Sequence, residues 1–500
     1  DVYKRQYTLY MKNFDIIIIG AGPNGLSAAS YLSKSGKKVL VVEKNEKVGG
    51  LAEYADSGSG LSKKVINQLG LKINTKKKSS FITSLNDNFN HTVLEIDENE
   101  SIKFNQCEAS LEDQNSFLKL VKKYNLFSKT LSSFMFNTPP RVKSGNKSDL
   151  FQLISMGWKV RKLGKKNMRE LLRVIGLNIA DDLEDNLTND NLMGILCNEA
   201  VLGSNLGPRS PGSILTLLYS NAINGSIFRN NNLDCKQIIN SLEQSCYDRG
   251  VEFLKSSEVK KLLIKNGTVT GIEINDQNTF GSSMIVSTLD PKSTYLNLIG
   301  ADKLDTDFIR RVSNFRSKGN VAKIKLEFKD IIKVKNLDEK YLGSKFIYAP
   351  NIKYIEQAFN NNKYNKYSTK PCLEFYIDNK NISANLYYVP YLKSGSHDKK
   401  EIQSNIQLIL NNFIVNNELI KFEIDTPNEI EKKYNTSGGH WHHGDMEIDQ
   451  LLMIRPFYGS AQYETPINGL YICGAGTHPG GGITGINAIN ASKQLLKNNE

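Results

Sequence analysis

Residues 14–25, FDIIIIGAGPNG, decide the fold. Phe14 to Ile19 make a continuous apolar, β-branched run of strand length, which predicts a strand buried on both faces of a parallel sheet. The run leads straight into Gly20-Ala21-Gly22-Pro23-Asn24-Gly25, after which Leu26, Ala28, Ala29 and Leu32 recur at helical spacing until Gly36. Lys38 to Val42 predicts the next strand, with Glu43 at its end. In such a unit Gly20 permits the tight turn, Gly22 lets backbone approach a pyrophosphate, and Gly25 lets helix and strand pack closely. The helix N-terminus supplies unpaired N–H groups and partial positive charge to phosphates. Glu43 stands where a carboxylate accepts ribose hydroxyl hydrogens and would repel a 2′-phosphate. The expected product is a dinucleotide-binding domain.

Lys44 and then Val48-Gly49-Gly50 follow. This double glycine resembles the flavoprotein extension of the motif, where the chain turns back across the ribityl phosphate, and so favours FAD over NAD. A second glycine-rich element, GLYICGAGTHPGGGITG, occupies residues 469–485 and combines a short apolar strand, a glycine turn and a helix over 485–497. It can close over the pyrophosphate and present N–H groups to a flavin ring. The two ends of the chain would build one site.

The N-terminal IGAGPNGLSAASYL…VGG and the C-terminal GLYICGAGTHPGGGITG resemble the FAD-dependent phytoene desaturase and amine oxidase superfamily, and within it the phytoene-dehydrogenase-related branch. EAVLGSNLGPRSPGS (199–213), VSTLDP (286–291) and GGHWHHGDMEIDQLLMIRP (438–456) extend the likeness over nearly the whole chain. The resemblance implies an α/β fold: a discontinuous, glutathione-reductase-type Rossmann-like FAD-binding domain over 12–75, 231–292 and 437–500, and a mixed α+β substrate domain over 76–230 and 293–436. Short strands read within VEFLKS, VKKLLIKNG, TVTGIEIN and SMIVST suit it. It implies FAD contacts from Gly20, Ala21, Gly22, Pro23, Asn24, Gly25, Glu43, Lys44, Gly49, Gly50, Val259, Gly474, Ala475, Gly482, Ile483 and Gly485, with the Val259 backbone at the adenine. Departures are Ala475, where amine oxidases carry an acid, Ala488 and Ile489, where this branch carries glycine and arginine, and a segment after Gly50 shorter by about one strand.

GGHWHHGD (438–445) holds half of the six histidines. A zinc site needs three or four convergent ligands. In an extended chain His440 and His442 share one face and His443 the other, and His91, His397 and His478 show no ligand spacing, so no metal is expected. The resemblance implies instead that His443, Arg455 and His478 are pocket candidates, with catalytic residues unassigned. The bland alternative has His443 bonding backbone groups and Arg455 pairing with Asp449.

The expected reaction is hydride removal from a carbon of an apolar, isoprenoid-like substrate, with an unknown electron acceptor. The alternatives are an amine-oxidase-like dehydrogenase on a smaller substrate and a non-catalytic flavin-holding partner protein. Cys107, Cys197, Cys235, Cys246, Cys372 and Cys473 form no close pair, which argues against a dithiol catalyst and for a reducing, cytoplasmic setting. No apolar run reaches the ~20 residues needed to span a bilayer. The net charge of +12 is spread among lysines throughout the chain but is densest in WKVRKLGKKNMRELLR (158–173), an amphipathic helix or helix pair suited to peripheral membrane contact. No nucleic-acid partner is expected. DVYKRQ at the start reads as a translated sequencing adapter, with the natural start at Met11 and residues 1–10 a non-native leader.

Overall fold

A computed structural model describes residues 12–54, 60–73, 79–141, 145–228, 234–275, 277–415 and 417–499; the suspected leader lies outside them. The predicted first strand is Ile16–Ile19, with all four side chains buried. It is the central member of a five-stranded parallel sheet in the order Leu470–Ile472, Ile285–Ser287, Ile16–Ile19, Val39–Val42, Glu252–Leu254. The strands come from three distant parts of the chain. Alternation along the central strand sends Ile16 and Ile18 to one face and Ile17 and Ile19 to the other.

The first face is covered by the helix Pro23–Ser33, flanked by Cys235–Tyr247 and Ile486–Asn498, in a core that includes Leu26, Leu242 and Ile486. The second face is covered by a four-stranded sheet in the order Lys12–Asn13, Thr279–Gly281, Thr268–Ile274, Val259–Lys265. Of these, neither Lys12–Asn13 nor Thr279–Gly281 is legible as a strand in the sequence. The segment 293–315, assigned to the substrate domain on sequence grounds, places Tyr295, Phe308 and Phe315 in the same core as Ile17 and Ile19.

An eight-stranded sheet makes the second half of the molecule, in the order Leu419–Asp425, Val321–Phe328, Asn381–Tyr387, Leu373–Asp378, Lys345–Tyr348, Ser80–Ser84, Thr92–Ile96, Ile102–Gln106. All of its pairings are antiparallel except that of Lys345–Tyr348 with Ser80–Ser84. The helices Leu111–Met135, Asp190–Val201 and Ser213–Asn224 share one core with this sheet, and Lys399–Phe413 shares another.

Candidate dinucleotide and substrate cleft

The strand Ile16–Ile19 ends at Gly20, and the helix begins at Pro23, whose missing N–H costs nothing at the first helical position. A Cβ at Gly25 would lie 2.0 Å from the Gly20 carbonyl oxygen, so only glycine lets helix and strand approach this closely. Around Gly22 there is nothing within 4 Å of a built Cβ, so its open side faces into a cleft. Glu43 is buried; its carboxylate accepts the Ala21 N–H at 2.7 Å and the Asn45 N–H at 2.9 Å. The acid is thereby held at the end of its strand with lone pairs to spare.

The cleft encloses about 1930 Å³ including its mouth. Its lining includes Gly20, Gly22, Pro23, Asn24, Glu43, Lys44 and Val259. Gly50, Ala475, Gly482 and Ile483 line it as well, so residues from both ends of the chain meet there. Leu202 and Ile223 of the substrate half line it too, together with Met446. Lys44 also donates to Asn435 Oδ1 at 2.9 Å. The side-chain oxygens of Asn24 and Asn224 are buried without a hydrogen-bond partner, and both residues line the cleft. Buried polar atoms of this kind call for a ligand or water.

The remaining expected contacts stand one layer back. Ala21 acts through its bond to Glu43, and Gly25 packs on Gly20. Gly49 faces Ile239, and Gly474 lies against the Thr288 and Leu289 carbonyls. Gly485 caps the helix Ile486–Asn498.

The histidine segment is not extended. His443 has φ +56°, which turns the chain so that His442 and His443 both line the cleft while His440 points away. His440 Nδ1 accepts the His442 N–H, which leaves its ring proton on Nε2, 3.2 Å from Asp445. The His442 ring lies against Gly481, where a Cβ would come within 1.9 Å of it, so this loop glycine is also obligatory. The Nδ1 atom of His443 has no partner, and burial lowers the ring's pKa to about 4 despite nearby Asp290. No three metal ligands converge among the described residues.

Arg455 is not in the cleft. It is completely buried and donates to the carbonyls of His442, Gly444, Asp445, Gln450 and Ala475, at 2.8–3.4 Å. Burial lowers its pKa to about 10, which leaves it charged at neutral pH. The alternative pairing with Asp449 is absent: that carboxylate binds Arg316 at 2.6 and 2.8 Å. His478 likewise lies behind the wall, its ring nitrogens 3.0 Å from the Leu452 carbonyl and 3.3 Å from that of Phe134. It lines a separate pocket.

A polar floor of the cleft was missed in the sequence. Lys323 lies 4.0 Å from the Trp441 ring centroid and bonds Asn385, which donates to Glu374 at 3.1 Å. Behind them Lys345 pairs with Glu199. Lys323, Glu374, Asn385 and Trp441 all line the cleft. The strand VAKIKLEF alternates as a half-exposed strand would, so Lys323 reads as a solvated lysine; the Trp441 ring over it and Asn385 beside it are both distant in sequence.

Comparisons with known proteins agree with this architecture. Residues 18–72 match the NAD(P)-binding Rossmann-like domain family. Over 97% of its length the chain is 23% identical to pyridine nucleotide-disulfide oxidoreductase domain-containing protein 2 of Mus musculus, covering 93% of that protein. It is 24% identical to a 1-hydroxycarotenoid 3,4-desaturase of Flavobacterium, over 93% of this chain and 95% of that one. Among solved structures, cyclohexylamine oxidase of Brevibacterium oxydans shares the fold, with TM-score 0.57, 13% identity and coverage of 97% and 100%.

Proposed function

We propose, on the premise that this chain is an oxidoreductase resembling the FAD-dependent phytoene desaturases and amine oxidases, that it holds FAD along the cleft and removes a hydride from a carbon of a largely apolar, isoprenoid-like substrate. The observation that carries this reading is one continuous cleft lined by Gly22 and Glu43, by residues of both glycine-rich loops, and by Leu202, Ile223 and Met446. FAD, when bound, supplies the two-electron acceptor. Glu43 would hold the ribose hydroxyls, and the N–H groups opening the helix Pro23–Ser33 would hold the pyrophosphate. The partnerless oxygens of Asn24 and Asn224 support a polar ligand at these points.

Among the pocket candidates only His443 reaches the cleft. With a pKa of about 4 it is neutral and a weak base, so its part is to orient a group at Nδ1. Arg455 and His478 shape the wall from behind. The division into a three-segment cofactor domain and a substrate domain belongs to the same reading.

The polar floor of Lys323, Asn385 and Glu374 favours a second reading, an amine-oxidase-like dehydrogenase on a smaller, polar substrate. The test is the visible spectrum of the purified chain, with release and identification of the cofactor, followed by anaerobic addition of isoprenoid alcohols, isoprenoid hydrocarbons or primary amines. Bleaching of an FAD band by isoprenoids supports the first reading, and bleaching by amines alone supports the second. A colourless protein that takes up no FAD sinks both.

A further inference from the structure

The basic stretch at 158–173 divides into two helices, Lys147–Arg161 and Gly164–Gly176. The first has no buried residue. Its inner side carries the half-buried Leu153, Met156 and Val160; its outer side carries Leu150, Phe151, Ile154 and Trp158, which are 59%, 74%, 50% and 60% exposed. These four share one face at helical spacing, and Lys147 and Arg161 fall on the same face at its two ends. Four large apolar side chains aligned in water on one helix form a patch rather than the usual scatter.

The second helix turns a basic side outward through Lys165, Lys166 and Arg169, with Leu172 65% exposed beside them. From Lys147 to Arg173 the hairpin carries eight lysines and arginines against Asp149 and Glu170, a surplus equal to half the net charge of the chain. Glu170 is already paired with Arg173. Phe151 also lines a pocket with Phe134, Pro139, Met156 and Met453, among polar side chains such as Gln152, Ser155 and Lys159.

We propose that this helical hairpin is a membrane-docking surface, with Leu150, Phe151, Ile154 and Trp158 seated among the acyl chains of an anionic leaflet and the lysines and arginines at its headgroups. An apolar row containing Trp and Phe, flanked by cations, fits a bilayer interface in both chemistry and depth. A protein partner would have to be both apolar and strongly acidic. The docking element lies on the substrate half and none of the described helices is long and apolar enough to cross a bilayer, so the contact is peripheral. This inference does not depend on the redox reading.

The test is flotation of the full chain with phosphatidylcholine vesicles, with and without phosphatidylserine, together with Trp158 emission. The chain should float with the anionic vesicles and not the neutral ones, its emission should shift to the blue, and added salt should release it. Phe151→Glu with Trp158→Glu should abolish flotation, and Lys165→Glu with Lys166→Glu should weaken it by about tenfold or more. These positions are exposed, so circular dichroism and melting temperature should stay at parental values. The proposal is overturned if anionic vesicles do not bind, if the Phe151/Trp158 double variant still floats, or if lipid-free light scattering shows a dimer that the same variant dissolves.

Discussion

At Gly25 a single hydrogen in place of a methyl decides whether the nucleotide site exists. A Cβ there meets the Gly20 carbonyl at 2.0 Å, and backbone cannot yield that much without opening the turn. Gly25→Ala should therefore express as protein with at least about tenfold less bound flavin, read as the ratio of visible to ultraviolet absorbance. Glu43→Gln retains the size of the side chain but loses the charge that receives the Ala21 and Asn45 N–H groups, and should lower cofactor affinity by about ten- to a hundredfold in a titration of the apoprotein.

His478 gives a pH signature. Burial lowers its pKa from 6.5 to about 4. Between those values the unfolded chain binds a proton that the folded chain refuses, so this histidine destabilises the fold increasingly as pH falls from 6.5 towards 4. His478→Gln abolishes that penalty. The melting temperature of the parent relative to the variant should fall on acidification through this window; a constant gap would refute the buried neutral imidazole.

On the scale of elements, Arg455 acts as a rivet. Its guanidinium joins the segment 442–450 to the Ala475 turn through five carbonyls and no carboxylate. Arg455→Met would leave those acceptors buried and unpaired at ~1–3 kcal/mol each, so a loss of at least about 3 kcal/mol is expected in urea unfolding. This role was hidden because the sequence shows an arginine six residues beyond an aspartate and gives no sign that Arg316, from another element, takes that acid. The parallel strands were legible because burial on both faces leaves an unbroken apolar run, as in IIII at 16–19 and VLVV at 39–42. Thr279–Gly281 is three residues long with no pattern to read, and it exists only through its neighbours. The histidine loop failed differently: strand geometry was assumed for it, and the positive φ of His443 reversed which rings share a face.

For the whole molecule, the cleft joins surfaces from segments hundreds of residues apart, so a ligand filling it binds the folded chain and not the unfolded one. Adding FAD to apoprotein at about a hundredfold over its dissociation constant should stabilise the fold by about 2.7 kcal/mol, seen as a rise in melting temperature. NADPH should have far less effect, because Glu43 opposes a 2′-phosphate. The terminal glycine loops were legible as parts of one site because each carries its own strand, turn and helix start. The polar floor was not, since its lysine, tryptophan, asparagine and glutamate come from four places in the chain with no local signature.

The edge strand Leu470–Ile472 pairs with Ile285–Ser287, which in turn pairs with Ile16–Ile19, so the first strand of the sheet to be synthesised and the last are separated by one neighbour in space and most of the chain in time. On the ribosome, the loop after Ile16–Ile19 emerges long before Leu470–Ile472, the strand that completes its sheet. A nascent chain, or a product terminated anywhere before residue 470, presents an unpaired edge at Ile285–Ser287 and a cleft without its C-terminal wall. Any ligand of the cleft therefore meets its complete wall only after Ile483 has been made.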